Sequence, residues 1–178
     1  MIDTHSHIYA EEFDADRAEA LQRAWDAGVE LMLLPDIDSE SRERMFQLAA
    51  QEPMRCKAMA GLHPTSVNDN PRWQEELDMV ERLLRDAPVP LYGVGEIGLD
   101  LYWSRDFYKE QREALHAQLE LALKYGKSVV IHTRDAYAEI ERLYAAAGVP
   151  ERCALEVDPG GHLNYADRIW SRLHKMGI

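Results

Sequence analysis

Four residues of this chain have the types and spacing of a metal centre: His5 and His7 near the start, Glu96 in the run GVGEIGLD, and His132 directly after Val129-Val130-Ile131. His5 and His7 stand two apart in a segment, IDTHSH, that reads as a strand, so both side chains leave the same face. A lone histidine there is more often a satisfied core residue. A pair on one face is chelating geometry, and Asp3 just before it is placed to act as an orienting partner. Imidazole and carboxylate donors suit magnesium, manganese or zinc. No thiolate is offered, because Cys56 and Cys153 are far apart and read as reduced core thiols. Other polar groups also follow apolar runs: Asp36 and Asp38, His63, Asp100, then Arg134 and Asp135. Burying so many ionisable groups together without a cation would be costly. Asp38 and Asp135 precede helical patterns and suit helix-capping roles.

Such a cluster needs strands that end at one place. Six candidate strands begin near Ile2, Val29, Cys56, Leu91, Ser128 and Cys153, and most are apolar on both faces, as buried parallel strands are. Helical stripes lie between them. Trp73, Leu77, Val80 and Leu84 share one face, as do Tyr108, Leu115, Leu119, Ala122 and Leu123, and Tyr165 to Met176 reads as one more helix. Gly28, Gly126 and Gly148 each follow a helical pattern and precede a strand, where a left-handed cap favours glycine. This alternation leaves a closed (β/α)8 barrel or an open doubly wound sheet. Gly93, Gly95 and Gly98 superficially suggest a dinucleotide loop, but Ile97-Gly98-Leu99 does not open into a helix, so no nicotinamide or flavin is expected. In a barrel the C-terminal ends of the strands converge on one mouth, which is where the polar residues fall.

Composition narrows the function classes. With 178 residues, 46% hydrophobic and 29% charged, the chain is long and apolar enough for one domain with a real core. The net charge of −12 argues against a broad nucleic-acid coat protein. It leaves a nuclease open, since bound cations can meet phosphates locally. No apolar run approaches the ~20 residues of a membrane span, and Met1 leads into Ile2-Asp3-Thr4-His5 without a basic, then apolar, leader. A cytoplasmic protein without a membrane partner is therefore expected.

The segments MIDTHSHIYAEEFDADR, MAGLHPTSV, VGEIGLDLYW with its glutamine-bearing helix, and VVIHTRDA together resemble the TatD family of metal-dependent deoxyribonucleases, in the amidohydrolase superfamily. The resemblance covers residues 1–145. It implies a TIM-type (β/α)8 barrel, a centre of one or two divalent cations, and phosphodiester hydrolysis, commonly as a 3′ exonuclease on DNA. By the same resemblance His5 and His7 bind one metal, Glu96 joins the two, His132 binds the second, and His63 and Arg134 lie near the substrate phosphate. Asp100 is a candidate to orient the attacking water.

Beyond residue 145 the family pattern is altered. Family members are longer and carry a later histidine motif and a final metal aspartate, whereas this chain offers ALEVDPGGH over 154–162. Read continuously, Glu156 stands at the family's histidine; read with an internal deletion, Asp158 becomes the family's metal aspartate. Either can supply an oxygen ligand. The continuous reading needs no lost segment, and it predicts a single domain over 1–178, an incomplete barrel of about six βα strands, and open sheet edges that a homo-oligomer would cover. Two alternatives stand beside a nuclease acting on DNA or another phosphodiester: an amidohydrolase for a small amide or ester, and a shortened, inactive scaffold.

Overall fold

In the computed structural model, which describes residues 1–146, the apolar runs are parallel strands, each followed by a helix. The strands are β1 (Ile2–Asp3), β2 (Leu31–Leu34), β3 (Cys56–Ala58), β4 (Gly93–Asp100) and β5 (Ser128–Arg134). The helices are α1 (Arg17–Asp26), α2 (Arg42–Gln51), α3 (Trp73–Arg85), α4 (Tyr108–Tyr125) and α5 (Tyr137–Ala146). The expected strand near Cys153, the helix Tyr165 to Met176, and Gly148, Glu156 and Asp158 lie outside the described residues.

β1 pairs with β2, β2 with β3, and β4 with β5, all in parallel. The two groups are joined at Ala60, whose amide donates to the Gly93 carbonyl (3.2 Å) and whose carbonyl accepts from Gly95 (2.9 Å). Neighbours therefore follow chain order without reversing. That order belongs to the arc of a βα barrel; a doubly wound sheet turns back at a switch point. No helix among the described residues is long and apolar enough to cross a membrane.

Two strands start later than their apolar runs suggest. The Val29 amide is spent on the Ala24 carbonyl (3.0 Å), closing α1, so β2 begins at Leu31. The Leu91 carbonyl accepts from Lys127 Nζ (2.8 Å), and β4 begins at Gly93. Gly28 and Gly126 close their helices as expected, at φ 87° and 59°. On α4 the stripe from Leu115 to Ala122 is buried or packed on the core, but Leu123 is exposed, one position too far around the helix. Cys56 is a buried core thiol, and burial, with Glu52 adding to it, pushes its pKa up to about 11.

The core has one part between β1–β3 and α1–α2, including Leu21, Met32, Leu34 and Met45, and another around β4–β5, including Val94, Ile97, Leu99, Leu115 and Ile131. Every residue of β4 is buried. Its three glycines do have the spacing G-x-G-x-x-G, yet they lie inside the strand and not at a strand-to-helix turn. Their use is close approach. A Cβ on Gly95 would stand 2.9 Å from Val130 Cβ, and one on Gly98 would stand 1.9 Å from the His132 carbonyl oxygen. At Gly126 nothing lies within 4 Å, and only the left-handed backbone asks for glycine.

Gly98→Ala should therefore destabilise the protein by about 3 kcal/mol or more, through overpacking against backbone that cannot yield. Gly126→Ala should cost about 1 kcal/mol. Urea unfolding midpoints of the two variants test this, and equal losses would show that the β4–β5 contact is not the tight one.

Candidate metal centre

β1 ends at Asp3, so His5 and His7 stand just past the strand and not within it. The Ser6 amide still donates to Leu33 on β2 (3.0 Å), and this holds the segment extended along the sheet. The two rings converge as their spacing suggested, with Nε2 atoms 3.0 Å apart. Both meet Glu96 Oε2, His5 at 3.0 Å and His7 at 3.2 Å. The other oxygen, Oε1, faces His132 Nδ1 at 3.0 Å and His63 Nε2 at 3.8 Å. Two donor groups thus share one buried carboxylate: His5, His7 and Glu96, and His63, Glu96 and His132, each with its ligand atoms within 4.8 Å of one another. Burial alone would raise the Glu96 pKa, but hydrogen bonds to His132, His5 and His7 and the nearby His63 outweigh it and hold the carboxyl far below its ordinary range.

Hydrogen bonds behind the rings decide which nitrogens are free to coordinate. The buried Tyr9 hydroxyl donates its proton to the Pro35 carbonyl at 2.5 Å and lies 2.9 Å from His7 Nδ1. Having spent its proton, the hydroxyl must accept from His7 Nδ1–H, which leaves Nε2, the nitrogen facing Glu96, as the one His7 would turn to a cation. His63 is set the opposite way. Its Nδ1 accepts from the Thr65 amide (3.2 Å) at the start of the turn Pro64–Ser66, so neutral His63 carries its proton on Nε2, facing Glu96. Burial pushes His63 down to about 4, over the opposing pull of Glu96. At neutral pH it is an uncharged donor, which is a poorer metal ligand than its position alone suggests.

His132 lies between two carboxylates, with Nδ1 on Glu96 and Nε2 on Asp100 Oδ2 at 2.9 Å. Burial lowers its pKa, but Glu96 and Asp100 together outweigh that and raise it. The second oxygen of Asp100 accepts from the Tyr102 amide (3.1 Å), so the carboxylate is committed to holding the ring and the following turn. Asp3 accepts from the His5 amide (3.1 Å) and so braces the backbone at this point. Asp38 caps the approach to α2, accepting from the amides of Glu40 and Ser41. Arg134, two residues past His132, lays its guanidinium over the Tyr102 ring, 3.8 Å from the centroid.

Asp36, expected only as one of the polar groups that follow an apolar run, and two glutamines of α4 support the centre. The Glu96 amide donates to the Asp36 carbonyl (2.8 Å), and the Asp36 amide donates to Gly95 (2.7 Å), so Asp36 pins the backbone at the centre. Its buried carboxylate takes Arg42 Nε at 2.6 Å and the Gly61 amide at 3.2 Å, while Oδ1 has no hydrogen-bond partner among the described residues. Burial pushes this carboxyl up to about 7 against the pull of Arg42. On α4, Gln118 accepts from the Leu62 amide and donates to its carbonyl, at 2.7 and 3.1 Å. Gln111 does the same for Asp100, at 2.9 and 3.0 Å. The legible signal was two glutamines seven apart, hence on one face, within an otherwise apolar stripe.

Residues 2–157 match the model of the TatD related DNase family. The uncharacterized metal-dependent hydrolase YjjV of Escherichia coli is 30% identical over 179 residues, covering all of this chain and 67% of YjjV. The 3′-5′ ssDNA/RNA exonuclease TatD of Dickeya dadantii is 33% identical over 144 residues, which are 80% of this chain and 53% of that protein. The crystal structure of YjjV superposes with a TM-score of 0.73 at 31% identity, over 84% of this chain and 57% of that one. A TatD family hydrolase from Entamoeba histolytica shares the fold, with a TM-score of 0.69 at 18% identity over 83% and 54% of the two chains. The chain spans about half the length of the TatD exonucleases it matches.

Long-range 1H–15N correlation at neutral pH in the Zn2+-loaded protein should find His7 protonated on Nδ1 with Nε2 on the metal, and His63 as the Nε2–H tautomer. Tyr9→Phe, which leaves His7 Nδ1–H without its acceptor, should weaken Mn2+ binding by roughly tenfold or more, as loss of a partner behind a ligand does. Unchanged Mn2+ affinity in that variant would remove Tyr9 from the centre.

Proposed function

The chain belongs to the TatD related DNase family, and we propose on that footing that it is a divalent-metal-dependent phosphodiesterase that removes nucleotides from the 3′ end of single-stranded DNA. The observation that carries the reading is the convergence of His5, His7 and His132 on the two oxygens of one buried glutamate. That donor set of imidazole nitrogens and carboxylate oxygens fits Mg2+, Mn2+ or Zn2+. Divalent cations at such a centre offset phosphate charge and activate water as a nucleophile.

In this proposal His5, His7 and Glu96 hold one cation, and Glu96 and His132 hold a second, with Glu156 or Asp158 as the candidate for a further oxygen ligand. Asp100 is the positioning residue for His132: bound to Nε2, it keeps Nδ1 turned to Glu96. Neutral His63 offers its Nε2 proton to a non-bridging phosphate oxygen. The 3′ polarity and the nucleic-acid substrate are supported by relatives named 3′-5′ ssDNA/RNA exonuclease. A second reading, hydrolysis of a small amide or ester, is favoured by one observation: the relative aligned over this whole chain bears the name of a metal-dependent hydrolase with no stated substrate.

Metal analysis of the purified protein, paired with Mn2+- or Mg2+-dependent digestion of 3′-labelled single-stranded DNA, separates these readings. We expect bound metal and progressive shortening of the DNA. Glu96→Ala should lose both, with activity down at least about 100-fold, and His5→Ala should lose most of the metal. Metal without DNA cleavage would move the assignment to the small-substrate hydrolase. Neither metal nor cleavage would leave an inactive scaffold.

A further inference from the structure

We propose that Trp103, braced by Tyr102 and Arg134, is a stacking platform for an unpaired nucleobase beside the metal centre. The inference rests on the phosphodiesterase reading and names the feature of the substrate that this chain grips. Tyr102 and Trp103 are 53% and 68% exposed, although each is a large ring on the first turn after β4. They are ordered against each other, edge to face, with centroids 4.8 Å apart. The Arg134 guanidinium covers the Tyr102 ring at 3.8 Å and reaches to 5.4 Å from the Trp103 centroid. A stacked guanidinium keeps its in-plane N–H donors at the rim, where a phosphate can reach them.

The three residues are tied to the centre from both sides. Asp100, which holds His132, also caps the Tyr102 amide, and the Leu101 amide donates to the Arg134 carbonyl at 2.9 Å. Arg134 itself is two residues past His132 on β5. Arg105 stands at the same edge, 3.4 Å from the Asp135 carbonyl, but Glu139 Oε1 lies 3.7 Å from it, so the positive charge of the platform is that of Arg134. An exposed indole, a braced aromatic neighbour and local positive charge are the parts from which proteins build sites for single-stranded nucleic acid, because every base offers a π-face. A paired base at a duplex end has its edge held by its partner and one face by its neighbour and cannot turn onto Trp103 without unpairing, so the platform favours single strands.

The test is a two-by-two comparison using the full chain: wild type and Trp103→Ala, each with a single-stranded oligonucleotide and with the same oligonucleotide abasic at its last two 3′ positions. We expect Trp103→Ala to raise KM for the intact strand by roughly tenfold. The abasic substitution should raise it similarly in wild type but add nothing in the variant, and Trp103→Phe should recover most of the loss. Circular dichroism and metal content matching wild type establish that the variant is folded. DNA cleavage with KM unmoved by Trp103→Ala, or with additive losses, overturns the platform and leaves the phosphodiesterase standing. Turnover of bis(p-nitrophenyl) phosphate without turnover of DNA does the same. If wild type cleaves neither, the phosphodiesterase reading fails and the platform falls with it.

Discussion

A buried, ionised carboxylate is the constraint around which this fold is arranged. Glu96 is almost fully out of solvent, in the middle of a strand with no exposed residue. An isolated charge there would carry a desolvation penalty of several kcal/mol. The penalty is offset by four imidazoles approaching from three other segments: His5 and His7 past β1, His63 past β3 and His132 on β5. Parallel strands in unbroken order bring those segments to the same end of the sheet, and the loops that follow supply the groups that orient the rings.

The surrounding structure serves mainly to make that convergence rigid. Glycines at 95 and 98 let β4 lie against β5 closely enough for Glu96 and His132 to meet. Asp36 clamps the backbone of Gly95 and Glu96 from the β2 side, itself fixed by Arg42. Gln118 and Gln111 each satisfy both backbone groups of one residue at a strand end, as a neighbouring strand would, so that Leu62 and Asp100 leave the sheet in fixed directions. His63 follows the first and the aromatic pair follows the second. Residues that touch no substrate thus determine where those that would touch it stand.

Much of this was legible in the residues themselves. Apolar runs and helical stripes showed alternating strands and helices because buried parallel strands and amphipathic helices have distinct periods. His5 and His7 announced a chelating pair by spacing, and the four quoted motifs located Glu96, His63 and His132. What was hidden is what depends on contacts distant in sequence. The tautomers of His7 and His63 are set by Tyr9, Pro35 and Thr65 and cannot be read from the histidines. That Arg134 lies over the Tyr102 ring could not be read from its place two residues past His132. The spacing of Gly93, Gly95 and Gly98 matches a nucleotide loop, and only their place inside β4 shows that they serve strand contact.

Glu96 is the shared anchor on which the proposed metal centre depends. Anomalous scattering at the zinc edge, from crystals grown with Zn2+, tests it most directly. A peak is expected within about 2.0–2.2 Å of His5 Nε2, His7 Nε2 and a Glu96 oxygen, with any second peak on the His132 side of the same carboxylate. Zinc bound elsewhere, with the histidine–Glu96 contacts intact, would contradict it.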